Sequence, residues 1–339
     1  MLYEVLMMIS WIGLILCTSV IVYAGTRLSK YGDIIAEKTG LGGTWIGVVL
    51  LASVTSLPEL VTGISSVTYA GVPDIAIGNV IGACVFNMLI LAILDAIYRP
   101  MPVLSKALQG NILSAGFGIL LLSMVAVSLS LGHRIFPLGW VGLYSPLFVF
   151  IYFVAMKLVY LYERKQVSVF IKEMAVELKY EDISVKTAIL KFSINAVLVI
   201  IAAVFLPKVG EGIAESTGLG QTFVGSIFIA IVTTIPEVVV SIAAVRIGAI
   251  DLAMGNLFGS NIFNIFILAI DDFFFIKGPI LSLVNQNHII STLFAIAMTS
   301  TAIIGLTYRA EKRTLFLALD SIVIMLLYIA NLLSLYMLK

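Results

Sequence analysis

Glu59 and Glu237 stand in matching settings, Val54-Thr-Ser-Leu-Pro-Glu59 and Val232-Thr-Thr-Ile-Pro-Glu237. Each lies near the middle of a long apolar run, where an ionised carboxylate costs about 3 kcal/mol or more unless something compensates it. Pro58 and Pro236 have no N–H, so a helix running through them leaves the carbonyls of Val54 and Val232 without their usual donors. Thr55 and Ser56, with Thr233 and Thr234, add hydroxyls, and Thr55 and Glu59, like Thr233 and Glu237, share a helix face at a spacing of four. Carboxylates, hydroxyls and carbonyls without cysteine or histidine make a hard-cation site, suited to Ca²⁺ or Na⁺ rather than zinc or copper.

Two further apolar runs offer a second wall. Asn79, Ala83 and Asn87 fall on one helical stripe, and Asn256, Ser260 and Asn264 on the matching one. Gly78 and Gly82, and Gly255 and Gly259, lie beside these stripes as G-x-x-x-G pairs. Such pairs serve plain helix packing or bring backbones close beside the amides.

The elements that must position these groups follow from the rest of the chain. Of 339 residues, 61% are apolar and 12% charged, where a soluble domain carries about 25% charge. This composition predicts an all-α polytopic membrane protein. A formal net charge of +1 gives no basic excess for nucleic acid. Ten apolar runs long enough to span a bilayer are expected, at roughly 5–26, 43–70, 72–97, 110–131, 136–161, 187–206, 219–246, 249–275, 286–307 and 314–337.

The chain also repeats itself. Gly32 to Gly42 matches Gly210 to Gly220 and the two proline-glutamate segments match at an offset of 178; Gly78 to Asn87 matches Gly255 to Asn264 at 177. Five spans per half force the second copy into the bilayer from the opposite side, so the expected architecture is two inverted five-helix repeats with helices 2, 3, 7 and 8 broken. The first repeat covers 1–162, a short connection 163–186 and the second repeat 187–339. The sixth span occupies in the second repeat the place of the first, which argues against a cleaved signal peptide. With the N-terminus outside, sixteen of the twenty Lys and Arg fall on connections facing the cytoplasm, so both termini are expected outside and 163–186 inside. The helical spacing of Phe170, Met174 and Leu178 in that connection fits either an interfacial helix or a solvated linker.

Two uncompensated carboxylates should not cross an occluding barrier empty, whereas one Ca²⁺, several Na⁺ or protons neutralise them. A carrier that moves only when loaded is an exchanger rather than a uniporter. A passive cation channel could share the oxygens but would conduct without a counter-ion. Hydrolase motifs such as His-Glu-x-x-His are missing, so no enzyme is expected.

Thr55 to Glu59 and Thr233 to Glu237, each followed by a Gly-Asn-x-x-Gly block, resemble the two α-repeats of the sodium/calcium exchanger family within the cation/Ca²⁺ exchanger superfamily, in a minimal ten-span prokaryotic form. The signatures cover roughly 32–97 and 210–272. The resemblance implies Glu59 and Glu237 as bridging Ca²⁺ ligands, with Thr55, Ser56, Thr233 and Thr234 as neighbours. It adds the carbonyls of Ala52 and Ala230 and the side chains of Ser260, Asn87 and Asn264. It also implies that the first and sixth spans slide across the core, and that Ca²⁺ and Na⁺ are the transported ions, with no separate cofactor. Membrane lipid is the other expected partner, with no obligate protein partner, and the cell membrane the expected location. The short connection leaves no room for the Ca²⁺-sensing domains of larger relatives.

This chain departs from the family pattern in two places. Ala83 stands where a serine is usual, which removes one hydroxyl from a Na⁺ site, and Asn264 stands where some members carry aspartate. The nearest alternative is therefore an H⁺-coupled Ca²⁺ exchanger. Asp95, Asp271 and Asp272 end their spans and read as interfacial, as do His133 and His288. Asp320 reads as a hydrogen-bonded packing residue, with a proton-linked role as the alternative. Cys17 and Cys84 read as small buried hydrophobes.

Overall fold

The computed structural model describes residues 2–38, 52–99, 101–108, 110–170, 183–246, 248–313 and 317–338. The start of the second span at 43–51, the repeat residues 39–42, the heart of the connection with Met174 and Leu178, and the start of the tenth span at 314–316 lie outside them. Apolar runs become helices because a bilayer supplies no water, and a helix satisfies its backbone internally.

In chain order the helices are α1 (Leu2–Lys38), α2 (Leu57–Ser65), α3 (Pro73–Ile97), α4 (Val103–Lys106), α5 (Gly110–Leu131), α6 (Tyr144–Phe170), α7 (Val185–Thr217), α8 (Gly220–Val224), α9 (Ala230–Thr233), α10 (Ile235–Arg246), α11 (Ile250–Phe274), α12 (Ile280–Leu283), α13 (His288–Tyr308) and α14 (Leu319–Met337). Among the described residues eight helices are long and apolar enough to cross a membrane, and a ninth span is a bent pair. The fifth span starts later than its apolar run, because Pro137–Leu138 and Val141–Gly142 form a small antiparallel hairpin ahead of α6.

The expectation of four broken helices needs correction. The seventh span bends by 46° between Gly220–Thr233 and Ile235–Arg246, at Thr234. Ser56 leaves helical geometry in the same way ahead of α2 (φ −86°, ψ 13°). The third and eighth helices, α3 and α11, run unbroken. Pro58 and Pro236 sit just inside the broken spans, whereas Pro73 opens α3 at a position where no helical donor is needed and α11 has none; Pro207 by itself does not interrupt α7. Glycines alone keep the backbone donors in place.

α3 and α11 pack on each other at the centre and are buried along most of their length. α1 and α7 pack along each other and expose many apolar side chains, among them Ile15, Leu16, Ile201 and Phe205. Pro207 inside α7 leaves the carbonyl of Ala203 without its donor. Thr62 donates to that carbonyl (3.5 Å) and Ser65 donates to the carbonyl of Val204 (2.6 Å), so α2 is pinned to α7 at its proline.

Two symmetric pairs of aspartates join the halves. Asp74 accepts from the Asn285 N–H (2.7 Å) and lies 2.9 Å from His288 Nε2; Asp251 accepts from the Leu108 N–H (2.6 Å) and the Asn111 amide (3.0 Å). Asp95 accepts from the N–H groups of Val103 (2.9 Å) and Ala318 (2.8 Å) and faces Arg313 (3.4 Å). Asp272 accepts from the N–H groups of Gly142 (2.8 Å) and Ile280 (2.7 Å), Tyr144 Oη (2.9 Å) and Ser145 Oγ (2.5 Å).

Asp95, Asp271, Asp272 and His288 stand at the ends of their spans, as read from the sequence, and all four are buried within the protein. A helix end can be interior when the loop beyond it folds back, and here the aspartates supply acceptors for backbone N–H groups of such loops. His133 is exposed, in a short 3₁₀ turn. The last helix starts at Leu319, so Asp320 stands in its first turn, where its carboxylate accepts from the Ser321 N–H (2.7 Å) and rests on Gly305 of α13.

Asp272→Ala strips the acceptor from two buried backbone N–H groups and should lower stability by roughly 3 kcal/mol or more. Asp272→Asn, which keeps an acceptor oxygen, should cost less. Thermal unfolding in detergent measures both, and wild-type melting of the alanine variant would show that this carboxylate does not hold the loop.

Candidate cation site

The breaks at Ser56 and Thr234 bring the two proline-glutamate segments together. Glu59 and Glu237 are each 1% exposed. Each accepts a hydrogen bond from the opposite half: Ser56 Oγ donates to Glu237 Oε1 (2.9 Å), and Thr234 Oγ1 to Glu59 Oε1 (3.1 Å). Ser260 adds a second hydroxyl to Glu237 Oε1 (3.4 Å) and lies 3.3 Å from Ser56 Oγ. At the equivalent place beside Glu59 the chain has Ala83, which donates nothing.

Thr55 and Thr233 lock the broken spans onto the central helices. Thr233 Oγ1 donates to Asn79 Oδ1 (2.8 Å) and Thr55 Oγ1 to Asn256 Oδ1 (3.4 Å). Both asparagines return their amide N–H to the glutamate backbone, Asn79 to the Glu59 carbonyl and Asn256 to the Glu237 carbonyl, each at 3.5 Å. The Ala52 carbonyl accepts from the Ser56 N–H and Thr55 Oγ1, both at 3.0 Å. The Ala230 carbonyl accepts from the Thr234 N–H (3.0 Å), Thr234 Oγ1 (2.7 Å) and Thr233 Oγ1 (3.2 Å).

Against this well-bonded frame a few buried oxygens have no donor: Glu59 Oε2, Glu237 Oε2, Asn87 Oδ1 and Asn264 Oδ1. The amide nitrogens of the two asparagines are spent elsewhere, Asn87 Nδ2 on Asn261 Oδ1 (2.9 Å) and Asn264 Nδ2 on Cys84 Sγ (3.8 Å), which leaves their oxygens unbonded. Two carboxylate and two amide oxygens without donors are hard acceptors, and a desolvated cation supplies what they lack. Ser226 Oγ on the seventh span is buried and unbonded as well.

Every proposed side chain of the set is buried in this region, and sequence reasoning missed some of its supports. Asn261 bonds Asn87 and, through Nδ2, the Cys84 carbonyl (3.4 Å). Its signal was the pairing of Gly82-Ala-Cys84 with Gly259-Ser-Asn261, two polar residues against two apolar ones. Ser241 accepts from Asn256 Nδ2 (3.1 Å) where the first half has Gly63. Gly82 permits a close approach, since a Cβ there would lie 2.3 Å from the Ser226 carbonyl oxygen. The G-x-x-x-G pair of the first half therefore serves backbone contact.

Comparison with known proteins follows this geometry. The family described as sodium/calcium exchanger protein matches residues 9–161 and 187–337. The inner membrane protein YrbG of Escherichia coli (strain K12) is 28% identical over 257 residues, 76% of each chain. The sodium/calcium exchanger MaX1 of Methanosarcina acetivorans is 30% identical over 144 residues, 42% of this chain and 39% of its own. Among solved structures, the sodium-calcium exchanger NCX_Mj superposes with a TM-score of 0.60 at 21% identity, covering 96% of this chain and 98% of that one. The H⁺/Ca²⁺ exchanger CAX superposes with a TM-score of 0.68 at 15% identity, covering 96% and 82%. Two matched segments that together take in most of the sequence, one on each side of the connection, place the chain in the sodium/calcium exchanger protein family.

Proposed function

We propose that Glu59 and Glu237 hold the Ca²⁺ that this exchanger carries, and that Na⁺ replaces it at overlapping oxygens. The observation that carries this reading is the set of donorless oxygens on Glu59, Glu237, Asn87 and Asn264. The two glutamates bring a formal charge of −2, which one Ca²⁺ balances. Thr55, Ser56, Thr233, Thr234 and Ser260, with the carbonyls of Ala52 and Ala230, turn their hydroxyls or lone pairs to the flanking Na⁺. Because the sets share oxygens, occupancy by one ion excludes the other, and competition supplies the coupling. α1 and α7, which pack on each other and expose much apolar surface, are the helices that slide to open the site to alternate sides.

The two repeats, 1–162 and 187–339, are inverted about the site. The Lys and Arg bias puts 163–186 in the cytoplasm and both termini outside, in the cell membrane. A proton-coupled Ca²⁺ exchanger is the second reading, favoured by Ala83, which leaves Glu59 with fewer hydroxyl partners than Glu237, and by the likeness in fold to CAX.

Reconstituted protein tests the reading directly. ⁴⁵Ca uptake into proteoliposomes should follow an outward Na⁺ gradient; uptake that ignores Na⁺ and follows an imposed pH gradient would replace Na⁺ by H⁺. Glu59→Gln and Glu237→Gln each keep the shape but remove a charge from a buried cation, and should weaken Ca²⁺ binding at least about tenfold, 1.4 kcal/mol. Wild-type Ca²⁺ flux in either variant would remove that glutamate from the site. Ala83→Ser returns a hydroxyl beside Glu59 and should steepen sodium activation; an unchanged sodium dependence would show that position 83 does not face the ion.

A further inference from the structure

Asp271, in the last turn of α11, is fully buried, and neither of its carboxylate oxygens has a hydrogen-bond donor. It rests on α2. A Cβ added to Gly63 would lie 2.4 Å and 2.5 Å from the two oxygens, so the carboxyl occupies a notch that only glycine leaves. Its neighbour Asp272 is in the opposite condition, with four donors. The symmetry-related residue in the first half is Leu94, so this acid belongs to one half alone.

An ionised Asp271 would be a bare charge in a low-dielectric interior beside a second, fully hydrogen-bonded carboxylate, an arrangement that costs several kcal/mol. The cation that cancels it must fit the surroundings. A metal ion needs several oxygens, and the neighbours of Asp271 are Gly63, which has no side chain, and Asp272, whose oxygens already accept from four donors. A proton needs one acceptor. The facing groups supply no other counter-charge: α2 offers Gly63, with Glu59 one turn away, and Tyr144 of α6 is spent on Asp272. The acid of α3 at this end is Asp74, bonded to Asn285 and His288; Asp95 of α3 and Arg246 of α10 stand at the opposite end, and α5, α12 and the hairpin carry no titratable side chain.

We propose that Asp271 is a proton-binding site of this carrier, neutral in the conformation described here and deprotonated when α2 moves away from α11. The link to movement is built in: Thr62 and Ser65, flanking Gly63, are bonded to the carbonyls around Pro207 of α7. A displacement of α7 therefore draws on the helix that covers Asp271. The inference rests on the exchanger reading for its role in transport, while the protonation itself does not.

Two measurements test it. In proteoliposomes loaded with a pH-sensitive dye, Ca²⁺ movement should be accompanied by proton counter-movement in the wild type, lost in Asp271→Asn and kept in Asp271→Glu, with elution from a sizing column as the control for folding. Proton movement equal to wild type in the asparagine variant would overturn the proposal. Independently of transport, the infrared spectrum of the detergent-solubilised protein at neutral pH should contain a protonated carboxylic acid band that Asp271→Asn removes and Gly63→Ala, whose methyl displaces the carboxyl, weakens. Identical spectra of wild type and Asp271→Asn would overturn it as well. Should the wild type move no Ca²⁺ under any gradient, the exchanger reading fails, and the infrared comparison still decides the state of Asp271.

Discussion

A bilayer interior supplies neither water nor counter-ions, so every polar atom placed there must be answered from within the protein. The frame of this molecule meets that demand closely. The Ala203 carbonyl released by Pro207 is taken up by Thr62 and the neighbouring Val204 carbonyl by Ser65, and the backbone N–H groups at the helix ends by Asp74, Asp95, Asp251 and Asp272. Among the described residues this frame leaves oxygens unanswered on Glu59, Glu237, Asn87 and Asn264, the proposed cation ligands, and on Asp271 beside Gly63.

The two halves complete each other rather than standing side by side. Ser56 serves the glutamate of the second half and Thr234 that of the first. Asp74 and Asp251 each anchor a helix of the opposite repeat. A displacement of one half therefore alters hydrogen bonds at the site and at both ends of the central helices together, which favours a few discrete arrangements over gradual deformation.

The repeats differ in chemistry at several aligned positions: Ala83 corresponds to Ser260, Cys84 to Asn261, Gly63 to Ser241, Leu94 to Asp271 and Asn111 to His288. Glu237 consequently holds two side-chain hydroxyls on one oxygen where Glu59 holds one. The two carboxylates are thus unequal partners for a cation, although their sequence settings are nearly the same.

The sequence by itself determined the membrane class, the repeat, the paired glutamates and the bend of the seventh span, because hydropathy, periodicity and proline chemistry act locally along the chain. The breaks expected in α3 and α11 do not occur, since neither helix has a proline inside it. The sequence placed Asp95, Asp271, Asp272 and His288 at span ends but did not show that the protein buries them, because the loops beyond are not local neighbours. Only the tertiary structure folded the hairpin and the short helices back over those ends, crossed the hydroxyl of one half to the glutamate of the other, and set Asp271 on Gly63. Such pairings join residues far apart in the chain, and which donor meets which acceptor is decided by helix packing that no local pattern encodes.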